Sequence, residues 1–281
     1  MADVQFGVNR MVAPSLKLDA FLDLSAAVEA VGVELRNDLP GCDVIDTLDI
    51  EEVQELLSER NLSVLTINAV QHFNLPSATG EAMAELKRLI GFARDLGQPA
   101  IVMCPHCDVS DTRSRSEMAK DTEKTLREYR PVFEDAGVIG LVEPLGFPES
   151  SLRDTALAAK IIGEIGSDSY RIALDTFHFA VAEMDPAILG TAALPAESVG
   201  LIHLSGVTKA GPVSEFRDPD RVYVDDDDRI GNVETVRRLT AAGFSGAASF
   251  EPFSPEVHQL TAEQTGGAIR SSINYIKNNC Q

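Results

Sequence analysis

The stretch RIALDTFHFAVAEMD, residues 171–185, decides how the chain is read. Arg171 to Leu174 form a short apolar run of the kind found in a strand buried on both faces; the run stops on Asp175, and His178 follows three residues later. Asp is common where a strand hands over to a helix, because its carboxylate accepts the helix's first free N–H groups. One reading of the pair is therefore a cap with a core or surface histidine behind it. The other is a carboxylate and an imidazole gathered at a functional site.

Working outward, the same pattern recurs. Strand-like runs lie at VQFGVN (4–9), GVELR (32–36), SVLTIN (63–68), AIVMC (100–104), VIGLVE (138–143), RIALD (171–175), VGLIHL (199–204) and AASFE (247–251). Between them lie stretches such as LDAFLDLSAAVEAV, DIEEVQELLSER, EAMAELKRLIGFARDLG and DTALAAKIIGEIG, with apolar residues at helical spacing. Asp49 with Glu52, and Thr261 with Gln264, have the spacing of capping boxes that open helices. Eight apolar strands alternating with helices predict an α/β fold, a single (β/α)8 TIM barrel occupying residues 1–281 as one domain. An open doubly wound sheet would need a Gly-rich phosphate turn after the first strand, and residues 7–15 read GVNRMVAPS instead.

Composition agrees. A chain of 281 residues with 44% hydrophobic content can build one large core. Its 44 acidic residues against 24 basic ones give a formal charge of -20 with no basic stripe, which argues against a nucleic-acid partner. Of the four cysteines, Cys104 and Cys107 form one C-x-x-C in Cys104-Pro105-His106-Cys107, and a lone copy reads as packing rather than zinc or redox chemistry. No signal-peptide pattern precedes the first strand, and no apolar run approaches the roughly 18 residues of a membrane span. The expectation is a reduced, cytoplasmic protein with no membrane partner.

In a TIM barrel the active site lies at the C-terminal ends of the strands. Four consecutive strands end on metal-ligand types: Glu143 in LVEP, Asp175 in LDTFHF, His203 in LIHLS and Glu251 in SFEP. Three carboxylates and one imidazole suit a divalent ion, Mn²⁺ or Zn²⁺ foremost, with Co²⁺ or Mg²⁺ as alternatives. Such an ion would hold together carboxylates that otherwise repel.

At these residues the chain resembles the xylose-isomerase-like TIM-barrel superfamily of sugar isomerases and epimerases, and within it the 2-keto-myo-inositol (inosose) isomerase branch. The similarity runs through INAVQHFN (67–74), LDTFHF (174–179), DPDRVY (218–223) and SFEPFSPEVHQLTAEQ (249–264). The resemblance implies a metal site of Glu143, Asp175, His203 and Glu251, with the two glutamates flanking a bound ketose or cyclic ketone. It also implies substrate contacts for His178, for Arg221 in the loop after the seventh strand, and for Glu149. His72 and His106 stand where endonuclease IV, a DNA repair nuclease of the same barrel, keeps metal histidines, and are read here as substrate-binding.

Two departures bear on the site. The family often has an Asp shortly after the strand-seven histidine, whereas HLSGVTKAG has Ser205 and Gly206, so the support of His203 must come from elsewhere. After the loop arginine, VDDDDRIGN replaces the usual Gly-x-Gly, and Asp225 to Asp228 read as a solvated acidic loop.

Moving a carbonyl along a polyol, or inverting the carbon beside it, requires removal and return of a proton α to that carbonyl. A metal that polarises the carbonyl and two carboxylates that carry the proton through an enediolate supply those needs. The expected function is therefore a metal-dependent isomerase or epimerase in which Glu143 and Glu251 are catalytic. Its expected partner is a small polyol ketone, 2-keto-myo-inositol foremost, and a homo-oligomer is compatible with the sequence. The alternatives are a dehydratase of the same superfamily and an endonuclease IV-like nuclease, the latter disfavoured by the charge and by the missing Asp-x-His after strand seven.

Overall fold

A computed structural model describes residues 4–280. Eight strands, β1 (Gln5–Asn9), β2 (Gly32–Arg36), β3 (Ser63–Val70), β4 (Ala100–Met103), β5 (Gly140–Val142), β6 (Tyr170–Asp175), β7 (Val199–Leu204) and β8 (Ala247–Phe250), pair in parallel in chain order. β8 pairs back onto β1, so the sheet closes into a barrel. Helices α1 (Leu18–Ala27), α2 (Ile50–Glu59), α3 (Thr79–Asp95), α4 (Arg115–Ala136), α5 (Thr155–Ile165), α6 (Thr176–Val181), α7 (Asn232–Ala241), α8 (Pro255–His258) and α9 (Ala262–Asn279) follow the strands. The fold is a single TIM barrel, as the alternation predicts. Among the described residues no helix is long and apolar enough to cross a membrane.

The period of two along each strand sorts side chains into two layers. Val8, Val33, Leu35, Ile67, Ile101, Val142, Ile172, Ile202 and Phe250 belong to the large outer core that receives the helices. Each fully buried Leu, Ile or Phe there contributes on the order of 1.5–3 kcal/mol of burial. The alternate set, with Val102, Leu141, Ala173, Leu201 and Ala247, fills the lower barrel. One pleat nearer the C-terminal mouth, the inward positions turn polar, and Asn9, Glu34, Arg36, Thr66, Asn68, Asp175, His203, Ser249 and Glu251 are all buried.

Helix starts divide between the two expectations. Thr261 and Gln264 make the reciprocal capping box of α9. Asp49 is the N-cap residue of α2, but its side chain makes no capping bond. Both side chains of that pair are carboxylates at an exposed helix start, where they repel and water satisfies the free N–H groups as well.

Loops close over the mouth in an ordered way. The connection from β7 to α7 doubles back through mutual bonds between Gly206 and Val222, and the Arg221 carbonyl accepts N–H bonds from Phe253 and Ser254 beyond β8. Within the acidic run, Asp228 accepts from Val207 N and from the backbone and side chain of Asn232, which opens α7. Asp225, Asp226 and Asp227 are exposed, as a solvated loop predicts.

Candidate metal centre and active site

Asp175 answers the question its position raises by doing two things at once. Its Oδ1 caps α6 by accepting from Phe177 N at 2.7 Å and His178 N at 3.2 Å, while Oδ2 accepts from Arg221 Nη2. Glu143 and Glu251 each stand one residue past a strand, and His203 is the inward-facing residue of β7 paired with Asp175. One donor atom from each of Glu143, Asp175, His203 and Glu251 lies within 4.8 Å of the others, and all four residues are buried.

Around this group lie residues that the strand-end reading missed. His203 Nδ1 is 2.8 Å from Glu143 Oε1 and 3.5 Å from Glu251 Oε2, so Nδ1 is the nitrogen turned toward the other donors. Its Nε2 lies 3.0 Å from Glu34 Oε2 of β2. The support that Ser205 cannot give His203 therefore comes from Glu34, itself held by Thr66 and Asn68. Two residues on, Arg36 donates to Glu251 Oε1 at 2.6 Å, and Asn9 donates to the same oxygen at 3.2 Å. Cys104 Sγ sits 3.4 Å from Glu143 Oε2. The signal for these partners is the period of two: FGVN, GVEL and LTIN each place polar residues at the inward positions of apolar strands.

Arg221 reaches into the group itself. Its Nη2 donates to Asp175 Oδ2 at 2.6 Å and to Glu251 Oε2 at 3.0 Å, while Nε donates to Ser205 Oγ at 2.9 Å. The guanidinium lies between the rings of Phe253 and Phe177, at 4.4 Å and 5.0 Å from their centroids.

Charge is crowded here. Burial pulls the His203 pKa down, but Glu251, Glu34 and Glu143 overwhelm it and hold the imidazole well above its ordinary value. Burial pushes Glu34 up, yet His203 and the hydroxyl donors hold it at about 2. Burial likewise opposes ionisation of Glu251, which His203, Arg221 and Arg36 bring below the usual range. The Asp175 carboxyl is pushed up by burial and by Glu251, against the pull of Arg221. Four buried carboxylates (Glu34, Glu143, Asp175, Glu251) face two buried guanidinium groups (Arg36, Arg221) and the imidazole that they hold protonated, and Arg36 is shared with Asp38. A divalent ion at the four donors would take the place of the His203 Nδ1 proton, and three carboxylates with one imidazole suit such an ion.

The remaining sequence candidates lie farther out. His178, in the first turn of α6, is buried edge-on to Phe147 and Phe177, and its Nδ1 is buried without a hydrogen-bond partner among the described residues. Gly146 permits this packing, since a Cβ there would lie 2.1 Å from the His178 carbonyl oxygen. His72 and His106, beyond β3 and β4, meet each other with Nδ1 atoms 3.3 Å apart and do not join the four-donor group. Glu149 is half-buried, forms no hydrogen bond or ion pair among the described residues, and stands near Cys107.

Burial, and then the charge of Arg221, lower the His178 pKa to about 4 from an ordinary 6.5. Folding therefore opposes protonation of this ring, and stability is lost as pH falls from about 6.5 toward about 4. Denaturant titrations across that window are expected to show a steeper acid loss in the wild type than in His178→Asn. Parallel curves would remove His178 from the account.

A closed parallel barrel whose C-terminal mouth carries a buried carboxylate and imidazole group defines the class of protein. The chain belongs to the xylose isomerase-like TIM barrel family, whose model matches residues 22–279. It is 27% identical over 217 residues to an inosose isomerase of Halalkalibacterium halodurans, covering 76% of this chain and 75% of the relative. Among solved structures it is similar to a xylose isomerase domain containing protein from Salmonella typhimurium LT2, with TM-score 0.89, 32% identity and 98% of each chain covered. The IOLI protein with a binding zinc atom has the same TM-score of 0.89 at 22% identity, also over 98% of each chain, a likeness of fold.

Proposed function

We propose that this protein is a divalent-metal-dependent isomerase or epimerase of a small polyhydroxy ketone, with 2-keto-myo-inositol the leading substrate. The observation that carries the reading is the convergence of Glu143, Asp175, His203 and Glu251 within 4.8 Å at the barrel mouth. The similarity to inosose isomerase supports the substrate class. Manganese and zinc suit the mixed oxygen and nitrogen donors best.

Glu143, Asp175, His203 and Glu251 would hold a divalent ion, which would supply a Lewis acid for the substrate carbonyl and for the negative charge that develops on its oxygen. The chain's own groups do the rest. Glu34, 3.0 Å from His203 Nε2, would accept that nitrogen's proton and leave Nδ1 free to ligate an ion. Arg36 and Asn9 hold Glu251 by its Oε1, and the carboxylate would accept a proton from the carbon beside the carbonyl. Glu143, from β5, faces Glu251, from β8, across the group. An isomerisation can use one carboxylate to carry the proton between adjacent carbons. An epimerisation needs both, one for each face. His178, whose buried Nδ1 has no hydrogen-bond partner among the described residues, would serve the substrate's oxygens. His178→Asn is accordingly expected to lower turnover by about 100-fold, the scale of a lost polar or acid–base group.

Manganese-loaded protein should be incubated with 2-keto-myo-inositol, ketohexoses and hydroxypyruvate, and the products followed by NMR and mass. A new keto-inositol isomer of unchanged mass is expected. Loss of one water would make the protein a dehydratase, and cleavage of abasic DNA without conversion of any ketone would make it a nuclease.

Glu34 gives a separate check. In Glu34→Ala, divalent-metal affinity measured by chelator competition is expected to fall by about 10- to 100-fold, the range for a lost outer-shell partner. Glu34→Gln, which keeps an acceptor for Nε2, should lose less. Wild-type affinity in Glu34→Ala would mean that His203 is oriented by something else.

A further inference from the structure

We infer that Arg221 is a resident rival of the metal: its guanidinium neutralises Asp175 and Glu251 in protein stripped of metal, and weakens the grip of the same two carboxylates on an ion. This rests on the metal site proposed above and adds how tightly that site holds its ion.

The two carboxylates each have one oxygen already taken for structural purposes. Asp175 Oδ1 caps α6, and Glu251 Oε1 is held by Arg36 and Asn9. The oxygens left over, Asp175 Oδ2 and Glu251 Oε2, both accept from a single nitrogen, Arg221 Nη2. A guanidinium cannot shed its proton to escape a neighbouring cation, so its charge stays in place at any working pH. It cannot swing away freely either. Nε is tied to Ser205, Nη1 lies 3.3 Å from Asp218, two aromatic rings enclose its plane, and its own carbonyl fastens the loop to the start of the β8 extension. The side chain is 1% exposed, so water screens little of its charge.

Two consequences follow from Coulomb's law. Without an ion, buried Asp175 and Glu251 would repel, and Arg221 offsets that repulsion. With an ion, a fixed positive charge in contact with two of the four donors lowers their attraction for it. A residue that merely positioned the ligands would have the opposite effect when removed, since disordered ligands bind metal less well. The sign of the change in affinity therefore separates the two roles.

The test is a comparison of wild type, Arg221→Lys and Arg221→Met by chelator-competition titration with Mn²⁺ and Zn²⁺, with thermal unfolding of stripped and reloaded protein alongside. Met fills the aromatic slot without charge. Arg221→Met is expected to bind metal about tenfold more tightly or better, to melt lower than wild type when stripped, and to gain more on reloading. Arg221→Lys, which keeps the charge, should stay near the wild-type affinity. Unchanged or weaker binding by Arg221→Met overturns the inference while leaving the metal site intact. Failure of the wild type to bind metal overturns the site and this inference together. Should Arg221→Met fail to fold, Ser205→Ala loosens the same guanidinium by removing its Nε partner, and a smaller gain in affinity is expected; no gain overturns the inference.

Discussion

Glu251→Gln is expected to slow turnover by about 10³-fold or more under saturating metal, the scale of losing a general base together with a ligand charge. The wild-type carboxylate accepts on both oxygens: Arg36 and Asn9 hold Oε1, and Arg221 holds Oε2. An amide can keep one of those roles only. Its oxygen can still accept from Arg36, but its NH2 group then faces the NH2 of Arg221, donor against donor, and it has no basic site for a carbon-bound proton. Steady-state kinetics and metal analysis on the same preparation separate the two losses. A variant that retains its metal and still loses about 10³-fold has lost the base. Normal turnover in Glu251→Gln would exclude the glutamate pair. In a Glu143→Gln variant shown to keep its metal, retained turnover would favour isomerisation and lost turnover epimerisation, since only the two-face reaction requires both carboxylates.

The second large effect concerns Asp175. Asp175→Asn is expected to weaken divalent-metal binding by more than about 100-fold, beyond the range for an outer-shell partner. It should leave the fold in place, because Asn is as good an N-cap as Asp and can still accept from Phe177 and His178. Asp175→Ala should lose the metal as well and, without its cap, about 1 kcal/mol of stability in addition. Elemental analysis after dialysis, with thermal unfolding in parallel, checks both. Full metal content in Asp175→Asn would remove Asp175 from the ligand set.

The barrel was legible because parallel strands covered on both faces read as continuous apolar runs, and eight of them separated by amphipathic helices leave few other closures. The four converging donors were legible for a related reason: strand ends point to one mouth, so Glu143, Asp175, His203 and Glu251 could be grouped without knowing any distance. Their partners could not be grouped this way. Glu34 meets His203 across 169 residues and Arg36 meets Glu251 across 215, and only closure of β1 onto β8 makes these side chains neighbours. What β2, β3 and the β8 end did carry was a polar residue at alternate positions, Glu34 and Arg36, Thr66 and Asn68, Ser249 and Glu251, a pattern that marks an inward polar layer once the barrel is assumed. Arg221 was visible as a loop arginine, but its insertion between Asp175 and Glu251 depends on loop contacts with Phe253 and Ser254 that no local pattern encodes. At Asp49 the capping spacing was present and the bond was not, because spacing does not register that both partners carry the same charge.

On the proposed mechanism a proton leaves the carbon beside the substrate carbonyl and returns by way of Glu143 and Glu251. The decisive experiment is to run the conversion of 2-keto-myo-inositol in D2O and locate the label by NMR. A carboxyl proton at a barrel mouth exchanges with solvent, so the account predicts deuterium on the carbon that receives the proton, and none in product made by Glu251→Gln over the same time. Product formed by the wild type with no deuterium in either product or recovered substrate would contradict it, and would point to a hydrogen carried between carbons without passing through a carboxylate.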